Sequence, residues 1–192
     1  MSSDAVVRTT SVEDGDIATV LLAFATDPFV RWLLPDAAQF LRWFGEITRL
    51  HAQRTSANGG AYRRVDGRGA AFWYRPGVRP DGEALGAAFS AAGIADRVTT
   101  VWTAFGELEP TQSHWYLRQI GVDPMLHGRG HGSALLSAAL ADIDRESEPA
   151  YLEATSPGGR TFYERHGFRV LDEVSVNGSP PLWPMLREPA TV

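Results

Sequence analysis

Apolar positions recur along this chain with two periods, and the changes of period mark its elements. Val6-Val7-Arg8 reads as a short first strand. After Ser11 or Asp14, either able to cap a helix, Ile17, Val20, Leu21 and Phe24 recur at helical spacing. That helix has to stop before Asp27-Pro28, because a residue preceding proline disfavours the α region. Phe40, Leu41, Phe44, Ile47 and His51 form one stripe and predict a second helix over about 36–54. Strands are predicted over 61–65 and 70–74, joined by an Asp66-Gly67 hairpin turn and closed by Pro76. The Ala- and Gly-rich stretch 77–110 predicts two helices, about 82–92 and 95–108. A strand follows over 114–122, ended by Asp123-Pro124, and then a helix with Leu136, Ala139, Leu140 and Ile143 on one face. Residues 150–155 read as a strand, 156–159 as a loop, and the stretch up to His166 as a short helix closed by Gly167. Closing strands are expected over 170–176 and 182–186, around Asn177-Gly178. Strands and helices mixed in this order predict an α/β (α+β) fold with a predominantly antiparallel sheet, in a single domain spanning 1–192.

Composition narrows the chemistry. Cysteine is absent, which removes a disulfide framework, a thiolate nucleophile and a Cys-based zinc site. All 18 basic residues are arginines, so neither a phosphate loop that needs a lysine nor a lysine Schiff base is open to it. A net charge of −5 gives no footprint for nucleic acid. No apolar stretch is long enough for a membrane span, and Met1 to Asp4 lacks the basic and apolar regions of a secretion signal. The expectation is a cytoplasmic protein, monomer or homodimer, without a nucleic-acid or membrane partner.

One run stands out chemically. Residues 126–136 read Leu-His-Gly-Arg-Gly-His-Gly-Ser-Ala-Leu-Leu, three alternating glycines that open directly into a helix. Glycines allow positive φ and close approach of backbone to a ligand. A helix start offers unpaired N–H groups and partial positive charge. With Arg129 inside the loop, the run reads as a phosphate cradle. His127 and His131 are four apart, but they sit across a glycine loop and lack an intervening helix-borne Glu; no metal site is expected.

The order of strand (ending Ile120-Gly121-Val122-Asp123-Pro124), glycine loop and Phe162-Tyr163-Glu164-Arg165-His166-Gly167-Phe168 resembles the GNAT superfamily of acetyl-CoA-dependent N-acetyltransferases. Gly130 and Gly132 match the family's Gln/Arg-x-x-Gly-x-Gly/Ala pattern, whose first position is His127 here, a departure. Phe24-Ala25-Thr26-Asp27-Pro28, Ala71-Phe72-Trp73 and Leu152-Glu153-Ala154-Thr155-Ser156-Pro157 look like the puromycin N-acetyltransferase branch. The resemblance implies a mixed sheet with helices on both faces, its two middle strands (114–122 and 150–155) splayed to admit the cofactor. It implies that the pyrophosphate of coenzyme A rests on Gly128, Arg129, Gly130, His131, Gly132 and Ser133. The pantetheine arm would pair with backbone at Ile120, Gly121 and Val122, and His127 would stand in the same site. The family's usual asparagine before the tyrosine is replaced by Gly158 and Gly159.

For the reaction, an ammonium must lose a proton before it attacks a thioester. The oxyanion that forms needs a preorganised donor, for which a backbone N–H near Ile120 is expected. The departing thiolate needs an acid that stays protonated at neutral pH. Tyr163 lies where the family places this acid, or is a locally satisfied aromatic. Glu153, on a buried strand, is the expected base or else an arginine's partner, with His114 and Glu109 as weaker alternatives. Phe24, Trp32, Trp73, His114 and Tyr116 are candidates for contact with an acceptor amine, although such aromatics also build cores. The acceptor is expected to be a small-molecule amine and the donor acetyl-CoA. A protein or peptide acceptor, and a non-catalytic acyl-CoA sensor of the same fold, stand as the alternatives.

Overall fold

The computed structural model of the chain describes residues 5–106 and 108–190. The secretion-signal reading of Met1 to Asp4 falls outside them. Among the described residues seven strands form one sheet: β1 (Val6–Thr9), β2 (Ala61–Arg64), β3 (Gly69–Tyr74), β4 (Trp115–Val122), β5 (Ala150–Ala154), β6 (Arg169–Val170) and β7 (Trp183–Arg187). Their order is β1-β2-β3-β4-β5-β7-β6, and of these neighbours only β4 and β5 run parallel. This is the mixed, mostly antiparallel sheet that the periodicity predicts.

Helices cover both faces. On one, α7 (His131–Arg145) sets Leu135, Leu136, Ala139, Leu140 and Ile143 against Trp73, Trp115, Leu117 and Leu152. On the other, α1 (Asp14–Phe24) and α4 (Gly45–Ala57) cover Ala61, Ala70 and Phe72. Beyond α4, α5 (Gly82–Ala91) and α6 (Ala95–Phe105) close a second apolar cluster around Phe44, Phe89 and Val98. Among the described residues no helix is long and apolar enough to cross a membrane.

Four local features depart from the sequence reading. Asp27-Pro28 stops α1 and also starts α2 (Pro28–Leu33): proline fits the first helical position, and the Asp27 carboxylate accepts the Val30 N–H at 2.9 Å. The helix expected over 36–54 is α3 (Ala37–Gln39), a π-turn at Phe40–Phe44, and α4; the wider turn brings Phe40 and Phe44 together, rings 5.4 Å apart, on the buried side. The expected loop 156–159 is instead the start of α8 (Pro157–Glu164), capped by Ser156 on the Gly159 N–H. The strand expected over 170–176 shrinks to β6 plus one bridge, Val174 to Leu182. In addition α6 ends at Phe105, before the expected 108; Glu107 is outside the described residues.

Two features of β4 shape the groove beside it. Its pairing with β3 shifts between Phe72–Gln119 and Trp73–Leu117, so Arg118 is the extra residue of a bulge. The bulge turns Arg118 and Gln119 to the same side, where they reach His51 and Thr48 of α4 at 3.2 and 2.9 Å. Further along, α1 passes so close that a Cβ on Gly121 would lie 2.9 Å from the Ala23 Cβ and 3.0 Å from the Val20 Cα. Only glycine fits there.

Candidate active site

β4 and β5 pair at Trp115–Ala150, Tyr116–Tyr151 and Leu117–Leu152, and then part at the bulge. Beyond it β4 continues to Val122 with no β5 partner, leaving backbone polar groups to be satisfied from the gap. The gap opens into a cavity of about 1000 Å³ bordered by Ile120, Gly121 and Val122 of β4 and by His127, Gly128, Gly130, His131, Gly132 and Ser133. Phe24, Tyr116, Glu153 and Tyr163 border the same cavity. The structure thus brings together both predicted catalytic residues, nearly all of the predicted cradle and two of the acceptor candidates.

The cradle is a left-handed turn into a helix. Gly128 and Gly130 have φ of 75° and 83°, and Gly130 is the N-cap of α7. A Cβ at either would meet no atom within 4 Å, so the backbone conformation demands glycine and the space above stays open. The first N–H groups of α7 lie at residues 131–133, at the cavity wall, with the positive end of the helix dipole. This geometry fits a diphosphate. His127 is exposed at the cavity border, and its Nε2–H donates to the Val122 carbonyl at 3.1 Å, tying the loop to the end of β4. That carbonyl, expected to be left free by the splay, is therefore already engaged. Arg129 is exposed and does not border the cavity.

A cation absent from the sequence reading lies underneath. Arg64 is buried, donates to Asp66 through Nε (3.0 Å) and Nη2 (2.6 Å), and through Nη1 to His131 Nδ1 at 2.6 Å. Since a guanidinium only donates, Nδ1 is the acceptor and the imidazole carries its proton on Nε2. No sequence signal points to Arg64, one of several arginines in a hairpin.

On the acceptor side, half-buried Tyr116, Arg118 and Glu153 and buried His51 and Tyr74 form one chain. Tyr116 donates to Glu153 Oε2 at 2.7 Å, and Arg118 Nη1 donates to the Tyr116 oxygen at 3.1 Å. Arg118 Nε donates to His51 Nε2 at 3.2 Å, and His51 Nδ1 in turn donates to Tyr74 at 2.7 Å. Burial raises the Glu153 carboxyl above the ordinary range, against the opposing pull of Arg118 and of the Tyr116 and Tyr151 phenols. Burial also raises the Tyr163 phenol, helped by the negative charge of Asp27, so it stays protonated at neutral pH.

Asp27, which reads in sequence as a helix stop and as part of the Phe24–Pro28 likeness, is a second residue that sequence reasoning does not assign to the site. It borders the cavity, accepts a hydrogen bond from the Thr155 hydroxyl just past β5, and is raised by burial. The motif of a carboxylate before a proline at a helix start is the signal that could reveal it.

A smaller cavity of about 480 Å³ lies beside the first and shares Tyr116, Arg118 and Glu153 with it. His114 borders this one, its Nδ1–H donating to the Gln112 carbonyl at 2.8 Å and its Nε2 3.6 Å from Glu109. Burial alone would lower its pKa, but Glu109 and the Gln112 carbonyl outweigh that and raise it. Two acceptor candidates border neither cavity. Trp73 is wholly buried in the core beneath α7, and Trp32 stacks on Phe29 with Arg97 over its ring.

Known proteins share this fold. Residues 89–170, which include β4, the glycine loop, β5 and Tyr163, match the family model of the acetyltransferase (GNAT) domain. Among solved structures the chain is similar to a Corynebacterium glutamicum protein described as histone acetyltransferase HPA2 and related acetyltransferase, at 26% identity over 98% of this chain and 97% of that one, TM-score 0.69. An agmatine N-acetyltransferase (15% identity, 96% and 98% covered, TM-score 0.64) shares the fold. So does a polyamine N-acetyltransferase of Drosophila melanogaster (16%, 96% and 100%, TM-score 0.61). With a bulged and splayed β4, a glycine-capped α7 and the match of residues 89–170 to an acetyltransferase (GNAT) domain, sequence and fold together support an N-acetyltransferase.

Proposed function

We propose that the chain transfers acetyl from acetyl-CoA to the primary amine of a small molecule, by direct attack in a ternary complex. The observation that carries this reading is that the open helix tip, Glu153 and Tyr163 border one cavity. The α7 tip and Gly128–Gly130 turn receive the diphosphate, and the unpaired stretch of β4 receives the extended arm. Glu153 takes a proton from the ammonium, directly or through water, and the freed nitrogen attacks the thioester carbonyl carbon. A backbone N–H of β4 beyond the splay, in the Ile120 region, stabilises the oxyanion. As the C–S bond breaks, the thiolate, with a pKa of about 8.5, takes the Tyr163 proton, and the second proton of the attacking nitrogen returns to the Tyr163 oxygen, leaving amide, free thiol and a protonated Glu153 that releases its proton to solvent. A covalent acyl-enzyme has no cysteine to form on.

On this reading the chain works as one catalytic domain in the cytoplasm, as a monomer or homodimer. Its likeness to the puromycin branch puts an aminonucleoside among the acceptors to be tried. The acceptors named for its structural neighbours, agmatine and polyamines, belong in the same panel. Thiol release from acetyl-CoA, followed against that panel and against lysine- and N-terminal-amine peptides, tests the proposal. Turnover with a small amine supports it. Turnover with peptides alone would favour a protein acetyltransferase, and coenzyme A binding without any turnover a sensor.

A further inference from the structure

The larger cavity extends well past the reacting groups, and its far wall is apolar. Phe29 and Leu33 of α2, Phe44 beside α4, Phe89 of α5, and Val101 and Phe105 of α6 all border it. Its acids are two. Glu153 already faces Arg118 and Tyr116. Asp27 has, among the described residues, no cationic partner; its carboxylate is met only by the Thr155 hydroxyl and by backbone N–H groups at the start of α2. A half-buried carboxylate without a cation, at the border between an apolar chamber and the phenol of Tyr163, is matched by one ammonium whose remaining body is hydrocarbon. Among the described residues, nothing on the far wall of the chamber would answer a second positive charge.

From this arrangement we infer that the acceptor is a monoamine with a bulky apolar body, its ammonium drawn to Asp27 and its body packed between α2, α5 and α6. The inference rests on the acetyltransferase reading and narrows its substrate. It separates this chain from the agmatine and polyamine acetyltransferases that share its fold, whose named substrates carry more than one cationic group. A diamine would have to bury its far cation among Phe29, Phe44 and Phe89, and bulky apolar groups gain there what charged ones lose.

Thiol release from acetyl-CoA with 2-phenylethylamine, octylamine, agmatine, spermidine and a lysine peptide decides it. The expected kcat/KM is at least about 100-fold higher for the two apolar monoamines than for agmatine or spermidine. Asp27→Asn retains the α2 cap through its Oδ1 and removes the charge, with the Thr155 hydroxyl turning from donor to acceptor; it should raise KM for 2-phenylethylamine by about tenfold or more and leave coenzyme A affinity, measured by calorimetry, unchanged. Preference for agmatine, spermidine or the peptide, or an Asp27→Asn variant with wild-type KM, overturns the inference while leaving the acetyltransferase reading intact. So does a profile in which the chamber serves the donor instead, with octanoyl-CoA preferred over acetyl-CoA for every amine. Absence of coenzyme A binding would fell the underlying reading, and the inference with it.

Discussion

Arg64 Nη1 donates to His131 Nδ1 at 2.6 Å, so a buried cation of the β2–β3 hairpin fixes the first residue of α7. The contact places positive charge behind the N–H groups of the candidate diphosphate cradle.

Arg64→Gln should therefore weaken coenzyme A binding by about tenfold and cost about 2–4 kcal/mol of stability, since the Asp66 pair is lost with it. Calorimetry and urea unfolding measure the two. Arg129→Ala, which removes an exposed cation, should change affinity by less than about threefold, and that effect should fade with added salt.

Tyr163→Phe removes the proton for the leaving thiolate and little else, because the ring still packs on Phe162 and Phe168. Turnover should fall by about 100-fold or more with coenzyme A affinity unchanged. A variant turning over at the wild-type rate would remove Tyr163 from the reaction.

The Glu153 carboxyl is raised above the ordinary glutamate value of about 4.3. As a base it must be ionised, so kcat/KM should decline as pH falls through a value above that figure. Glu153→Gln should lose this acid limb and about two orders of magnitude in rate; a variant that retains the limb assigns it to another group, Asp27 first.

His51 is held well below its usual pKa, first by burial and then by Arg118, whose Nε occupies the nitrogen that a second proton would need. The unfolded chain takes up that proton near pH 6.5 and the folded one does not, so stability is lost as pH falls below about 6.5. His114, raised, acts in the opposite sense: its contribution is present below about 6.5 and is lost as pH rises through its folded value. Comparison with His51→Gln cancels the second effect. Between pH 6.5 and 5.5 the wild type should lose roughly 1 kcal/mol more than the variant in urea unfolding.

What the sequence disclosed and what it hid divide along a physical line. The strands of the sheet, the glycine loop and the position of Tyr163 were legible because each is set by local spacing, φ preference or a contiguous motif. The Arg118 bulge, the Arg64–His131 contact and the approach of Asp27 to Thr155 join positions far apart in the chain, and no local pattern encodes them. The start of α2 and of α8 at a proline was legible in principle: Asp27-Pro28 and Ser156-Pro157 are a cap and a first helical residue, but read alone they look like breaks. Trp73 shows the converse error, since a tryptophan in a strand carries no mark of which face it takes.

Gly121 sets the distance between α1 and β4 by what it lacks. Ala23 and Val20 leave no room for even a methyl group, so alanine at this position must drive the helix outward, and the Asp27 just beyond its end would be displaced as well. The mouth of the groove therefore has its gauge written in one hydrogen atom, and a graded series of side chains at 121 would act as shims that open it step by step.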